Sequence, residues 1–307
     1  MEATRTMNYL SFIIHKVFAD SVARYLPSKS LATRRRIVAA RPQFFDEKLR
    51  LIDTLHRLKM DAHSEHADLV PALLMALFHY LPEHRQLDPE LAAFMGEVLT
   101  WLANPETASH AQNFQDYWAL FECGGKHNGY FVEFGAADGL ELSNSLLLER
   151  QFGWRGVLAE PNPANIDALR RNRNCAISDA CVWSKSGSQL EFVQDGYLST
   201  IAEFSAEQCN STTVNRVLVD TISLSELLVK FDAPRNIDFL SVDTEGSEFE
   251  ILSHFDFDQF NVACIAVEHN YGPRRQDLHD LLTSNGYIRR FDAISRWDDW
   301  YLRQSIT

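Results

Sequence analysis

Nowhere in its 307 residues does the chain carry an unbroken apolar run of the roughly 18–20 residues that a bilayer span requires. The longest candidate, residues 72–81, is interrupted by His79, so no membrane-spanning helix is expected. Cysteine is scarce: Cys123, Cys175, Cys181, Cys209 and Cys264 make an odd count, and no pair has the C-x-x-C spacing of a zinc or redox motif. They read as reduced thiols. The short apolar stretch 9–14 has no basic cluster ahead of it and no small-residue cleavage site behind it, which favours a cytoplasmic protein over a secreted one. Positive charge is also short, with 29 Lys and Arg against 42 Asp and Glu, a net charge of −13. Such a surface repels a phosphate backbone, and nucleic acid is not an expected partner. Missing too are G-x-x-x-x-G-K-[ST], G-x-S-x-G and G-x-G-x-x-G, so phosphoryl transfer and serine hydrolysis lack their parts and a dinucleotide-dependent dehydrogenase is disfavoured. The only Tyr-x-x-x-Lys, from Tyr25 to Lys29, contains Pro27.

What the chain does have is enough apolar residue, 46%, to bury the core of one large domain or two ordinary ones. Residues 1–110 hold 13 acidic and 13 basic side chains, and 111–307 hold 29 and 16. The whole acidic excess therefore belongs to the second part. Residues 1–110 read as an all-helical extension: apolar residues recur at three and four spacing through Phe45, Leu49, Ile52 and Leu55 and again through Leu91, Phe94, Val98 and Leu102. Pro89 and Glu90 after Asp88 are a helix start. The group Asp61, His63, Glu65 and His66 reads as a solvated helical face rather than a metal site.

From about residue 128 short β-branched and aromatic runs alternate with helical segments, the signature of βαβ units and a parallel sheet. Strands are predicted at 130–134, 156–160, 180–183, 238–243, 264–268, 287–291 and 300–303, with an additional hairpin strand at 189–193 and a polar loop at 203–213. Too few residues separate the last two strands for a crossover helix, so the last should enter antiparallel. Domains are expected at 1–110 and 111–307.

The most telling segment is 130–139, YFVEFGAADG. An apolar strand runs into Gly135, and Glu133, Gly135 and Gly139 form E-x-G-x-x-x-G, a tight turn in which bare backbone can approach a ligand. A helix beginning near Ser143, Asn144 and Ser145 offers free amides to an anionic group. The next strand ends in Glu160, followed by Pro161 and Asn162, 25 residues after Gly135. That is close to the spacing at which an acid accepts hydrogen bonds from two ribose hydroxyls. Together the signals indicate an adenosine-containing cofactor, with nicotinamide dinucleotide and S-adenosylmethionine both fitting on spacing.

These motifs, followed by 237–248, IDFLSVDTEGSE, by Glu268-His269-Asn270, and by Gly286-Tyr287-Ile288 with Asp298-Asp299-Trp300-Tyr301, resemble the FkbM family of S-adenosylmethionine-dependent methyltransferases. The resemblance covers about residues 110–305. Departures are Ser145, where many members have Thr, and Ser241, where many have Lys. It implies a doubly wound α/β, Rossmann-like class I methyltransferase sheet. It also implies a cofactor loop of Glu133, Gly135, Ala136, Asp138, Gly139 and Asn144, with Glu160 and Pro161 at the ribose. By the same likeness Asp179 would face the adenine amino group, and Gln115-Asp116 would close over the cofactor.

Methyl transfer from a sulfonium asks little beyond aligning the nucleophile and removing a proton from a hydroxyl. The groups that do so must sit at the carboxyl ends of adjacent parallel strands, where Asp243, Glu245, Glu268 and His269 fall. His269 is the expected base, because an imidazole pKa of about 6.5 suits proton removal near neutrality. Asp243 and Glu268, with Glu245 beside them, could instead hold a divalent metal ion. Glu248 reads as a first-turn acid that stabilises its helix. The expected acceptor is a small hydroxylated molecule, a sugar or a polyketide-type secondary metabolite, and residues 1–110 offer a route to a homodimer. Two other readings stand beside this one: an NAD(P)-dependent oxidoreductase, and a non-catalytic binding module.

Overall fold

The computed structural model describes residues 89–102, 105–205, 215–292 and 294–304. Ser109–Thr307 forms one compact unit, and the described residues before it belong to another. Of that earlier unit the structure describes helix α1, Pro89–Leu102, and a single 3-10 turn at Pro105–Thr107. The other predicted helices of the extension, the Asp61 to His66 group and most of the surface expected to dimerise lie outside the described residues. No helix among the described residues is long and apolar enough to cross a membrane.

The larger unit is built on a seven-stranded sheet. Its strands are β1 (Tyr130–Phe134), β2 (Arg155–Ala159), β3 (Ala176–Ser178), β8 (Asn236–Val242), β9 (Asn261–Glu268), β10 (Tyr287–Arg290) and β11 (Asp298–Arg303). The order across the sheet is β10-β11-β9-β8-β1-β2-β3. Strands β3, β2, β1, β8 and β9 run parallel, and β11 enters antiparallel between β9 and β10. The predicted reversal of the last strand is thus present. The central strands read as continuous apolar runs because both faces are covered: Phe131, Val132, Phe134, Val157, Leu158, Leu240 and Ile265 are all buried.

The connecting helices are α2 (Gln115–Glu122), α3 (Leu146–Phe152), α4 (Pro163–Asn172), α5 (Leu224–Lys230), α6 (Glu248–Leu252) and α7 (Arg275–Ser284). Their starts are written locally. Asn162 caps α4 by accepting from the Ala164 amide at 3.1 Å, with Pro163 at the first helical position. Ser223 caps α5 by accepting from the Glu226 amide at 3.3 Å. Along α2, Trp118 stacks on Trp300 of β11 with ring centroids 5.3 Å apart, so Trp300 and its fully buried neighbour Tyr301 are core.

Two expectations need correction. The third strand of the main sheet is Ala176–Ser178, whereas Cys181–Trp183, predicted for that place, is β4 of a second sheet. That sheet also contains β5 (Gln189–Gln194), β6 (Thr200–Ile201) and β7 (Asn215–Ser223), in the order β4-β7-β5-β6. Strand β7 was not predicted at all. Val219 and Thr221 are buried while Leu218 and Asp220, which alternate with them, are exposed, which is the alternation of a half-covered strand. Its partner β5 pairs antiparallel along its whole length.

Candidate active site

Strands β1, β2, β8 and β9 end at one rim, where parallel α/β sheets place their ligand sites. A cavity opens there. Its floor is Glu133, Gly135 and Ala136 after β1, one side is Glu160 and Pro161 after β2, and the other is Asp243, Glu245 and Glu268. Phe192 of β5, Leu198 of the turn that follows and Ile201 of β6 close it, so the predicted hairpin strand supplies part of a wall.

Gly135 has φ of 70°, and a Cβ added there would lie 2.0 Å from the carbonyl oxygen of Asp243. Only glycine permits that approach, which draws the ends of β1 and β8 together. Glu160 is buried. One of its oxygens accepts from the Ala137 amide and the other from the Asn162 amide, both at 2.8 Å. Burial pushes its pKa up to about 7 against the lowering effect of those amides.

Glu133 holds the loop together. It accepts from the Asn144 amide at 2.8 Å, the Ser143 hydroxyl at 3.1 Å and the Ser145 hydroxyl. Behind it lies Arg173, whose side chain is fully buried. Its guanidinium donates to Ser143 Oγ at 3.0 Å, Ser145 Oγ at 2.9 Å, the Gly139 carbonyl at 3.3 Å and Glu149. Asn144 donates from Nδ2 to Ser241 Oγ at 2.9 Å, tying the loop to β8.

At the opposite side Asp243, Glu245 and Glu268 each bring one carboxylate oxygen within 4.8 Å of the others. Burial, then repulsion from neighbouring acids, raises Asp243 to about 7, Glu245 to about 8 and Glu268 to about 12, while a hydrogen bond with Glu268 opposes the rise at Asp243. Glu268 is 6% exposed, and its Oε2 has no hydrogen-bond partner. Glu248 does more than favour its helix: it accepts from the amides of Thr244 at 2.9 Å and Gly246 at 3.0 Å, and from Thr244 Oγ1 at 3.0 Å. Thr200 of β6 donates to the Glu245 carbonyl at 2.8 Å. Ala137, Glu245 and Asn270 all have positive φ, a conformation that non-glycine residues keep where the surroundings enforce it.

The structure therefore brings Glu133, Gly135, Ala136, Asn144, Glu160, Pro161, Asp243, Glu245 and Glu268 to one cavity and leaves six expected residues outside its lining. Asp138 instead accepts from the amides of Leu140 and Glu141, shaping the turn. Gly139 has φ of 78°, and a Cβ there would meet Leu169 and Arg173, so its space serves packing. Asp179 is exposed and pairs with Arg170 at 3.3 Å. His269 is buried and turned away: Nδ1 accepts from the Tyr271 amide at 2.9 Å, and Nε2 lies 3.7 Å from Asp299. Burial lowers its pKa. Gln115 and Asp116 are buried and hydrogen-bonded to Asp298 and to Ser109 and Tyr117. Arg173 and the second-sheet wall are not legible in the sequence, and of Glu248 only the helix-start role is, not its hold on the Thr244–Gly246 loop. No local pattern marks Arg173, while the alternation in β7 was available as a signal.

The family model of the methyltransferase FkbM domain matches residues 133–291, just over half of the chain. No curated protein matches it. Among solved structures it is similar to a methyltransferase FkbM from Methylobacillus flagellatus KT, with 18% identity over 77% of this chain and a TM-score of 0.41. The chain spans 60% of that protein's length. It is also similar to a precorrin-6y C5,15-methyltransferase from Geobacter metallireducens GS-15, with 14% identity over 57% of this chain and 71% of that one and a TM-score of 0.35.

Proposed function

The chain belongs to the methyltransferase FkbM domain family, and from that membership we propose that it transfers a methyl group from S-adenosylmethionine to a hydroxyl of a small acceptor, such as a sugar or a secondary metabolite. The observation that carries this reading is the convergence on one cavity of a glycine-permitted turn, a buried acid after the neighbouring strand and a carboxylate cluster. The residues fit the cofactor. Gly135 leaves open backbone at the turn, and the two oxygens of Glu160 keep lone pairs beyond the one each gives to an amide, enough to accept from two ribose hydroxyls. When bound, S-adenosylmethionine supplies an electrophilic methyl whose transfer breaks a carbon–sulfur bond, forms a carbon–oxygen bond and sets free the hydroxyl proton.

This chain's residues do the rest. Phe192, Leu198 and Ile201 exclude water, which strengthens every charge interaction inside. Asp243 and Glu245, held near neutrality in pKa, accept the hydroxyl proton, and Glu248 fixes the loop that carries them. We assign the proton to these acids rather than to His269, which does not line the cavity and whose Nε2 lies 3.7 Å from Asp299.

Calorimetric titration of the full chain separates this reading from the oxidoreductase alternative. S-adenosylmethionine and its demethylated product should each bind once per chain, and NAD or NADP should give no heat. Dinucleotide binding without S-adenosylmethionine binding would overturn the assignment. Transfer of labelled methyl to any hydroxylated acceptor would dispose of the non-catalytic module.

A further inference from the structure

We propose that Asp243, Glu245 and Glu268 bind one hard divalent cation, of the magnesium or manganese type, which holds the acceptor oxygen beside the cofactor cradle. The donors come from the ends of adjacent parallel strands β8 and β9, so the sheet itself sets their spacing. Their oxygens lie within 4.8 Å of one another. Around a cation that binds oxygen at about 2.1–2.4 Å, ligand atoms sit roughly 3–4 Å apart, so small side-chain rotations would bring all three oxygens onto one ion.

Glu268 supplies an independent indication. Its Oε2 is buried, lacks a hydrogen-bond partner and belongs to a residue lining the cavity. A buried acceptor left unpaired costs about 1–3 kcal/mol, more when it is charged, and a cation in the cavity would remove that cost. No protein cation can do so: among the described residues lining the cavity none is Lys, Arg or His.

The donor set decides the type of ion. Carboxylate oxygens alone favour magnesium, manganese or calcium over zinc and copper, which prefer nitrogen and sulfur. Each ligand need give only one oxygen, so the other oxygens stay available to receive a proton. A hydroxyl placed on the ion would become more acidic. This use of the cation rests on the methyltransferase reading, whereas binding of the ion does not.

The test is titration of the chelator-stripped full chain with manganese(II), followed by calorimetry and by the paramagnetic resonance of free Mn2+. One ion should bind per chain, and magnesium should displace it. Glu268→Gln and Glu245→Gln should each weaken it at least tenfold, while S-adenosylmethionine titrated separately into both keeps its wild-type affinity. Absence of Mn2+ binding by the wild-type chain would overturn the proposal without recourse to any variant, as would wild-type affinity in both variants. Binding of an organic amine in place of Mn2+, with dependence on Glu268, would equally overturn it and assign the acids to a cationic acceptor. Mn2+ binding that depends on Glu268, in a chain that ignores S-adenosylmethionine, would leave the cation site standing and remove the cofactor reading.

Discussion

The two oxygens of Glu160 accept the amides of Ala137 and Asn162, so the residue that would hold the ribose also holds its own loop. Its identity and place could be read from the sequence, since an apolar strand ending in an acid 25 residues beyond Gly135 has few other uses. Its protonation could not, because desolvation depends on what folds over it. With a pKa near 7, Glu160 is neutral in mild acid and a full acceptor in mild alkali. Affinity for S-adenosylmethionine should therefore strengthen from pH 6 to pH 8. Glu160→Ala should weaken it by about 1–3 kcal/mol, the loss expected for hydroxyls deprived of a charged acceptor, and should abolish that pH dependence. Calorimetry at the two pH values checks both, and unchanged affinity in a folded variant would count against the ribose assignment.

Between elements, the joints of the site are long-range and the sequence showed few of them. The parallel strands around the cradle and the reversal of β11 are legible because βαβ units leave a periodic signature and because the short spacing before β11 forbids a crossover. The alternation of β7 marks a strand, but its pairing with β5 spans residues 195–214, and pairing at that distance writes no local motif for the second sheet. Arg173 is the sharpest case. It follows α4, yet its guanidinium reaches Glu149 on α3, Ser143 and Ser145 ahead of α3, and the Gly139 carbonyl, 3.8 Å from Glu133 of β1. Those partners include two acids, and the Arg173 side chain itself is fully buried. Removing one member of a buried ion network leaves the others uncompensated, which costs about 3–5 kcal/mol. Arg173→Leu should lower the urea midpoint by a matching amount. Arg173→Lys should recover only part of it, since an ammonium cannot reproduce the guanidinium fork. A midpoint within experimental error of wild type would show that the loop does not depend on this arginine.

For the molecule as a whole, the buried acids at the carboxyl rim set the response to pH. Glu160 and Asp243 are raised to about 7, Glu245 and Asp298 to about 8, and Glu268 to about 12. The same groups in the unfolded chain ionise near 4. Above about pH 4 the folded state thus keeps protons that the unfolded state has lost, and stability falls with rising pH by about 1.4 kcal/mol per unit for each proton kept. His269 acts in the opposite sense: its lowered pKa costs stability only as pH drops through about 6.5, where the unfolded chain takes up a proton first. The window from pH 6.5 to 8.5 isolates the carboxyls. In chelator, the melting temperature should fall steadily across it, and Glu268→Gln, which carries no titrating proton at that position, should flatten the fall. Added Mn2+ should raise the melting temperature most at the alkaline end, where the acids are ionised and need a counter-charge. A wild-type melting temperature that stayed level or rose from pH 6.5 to 8.5 would mean that the rim acids are paired in a way this structure does not contain.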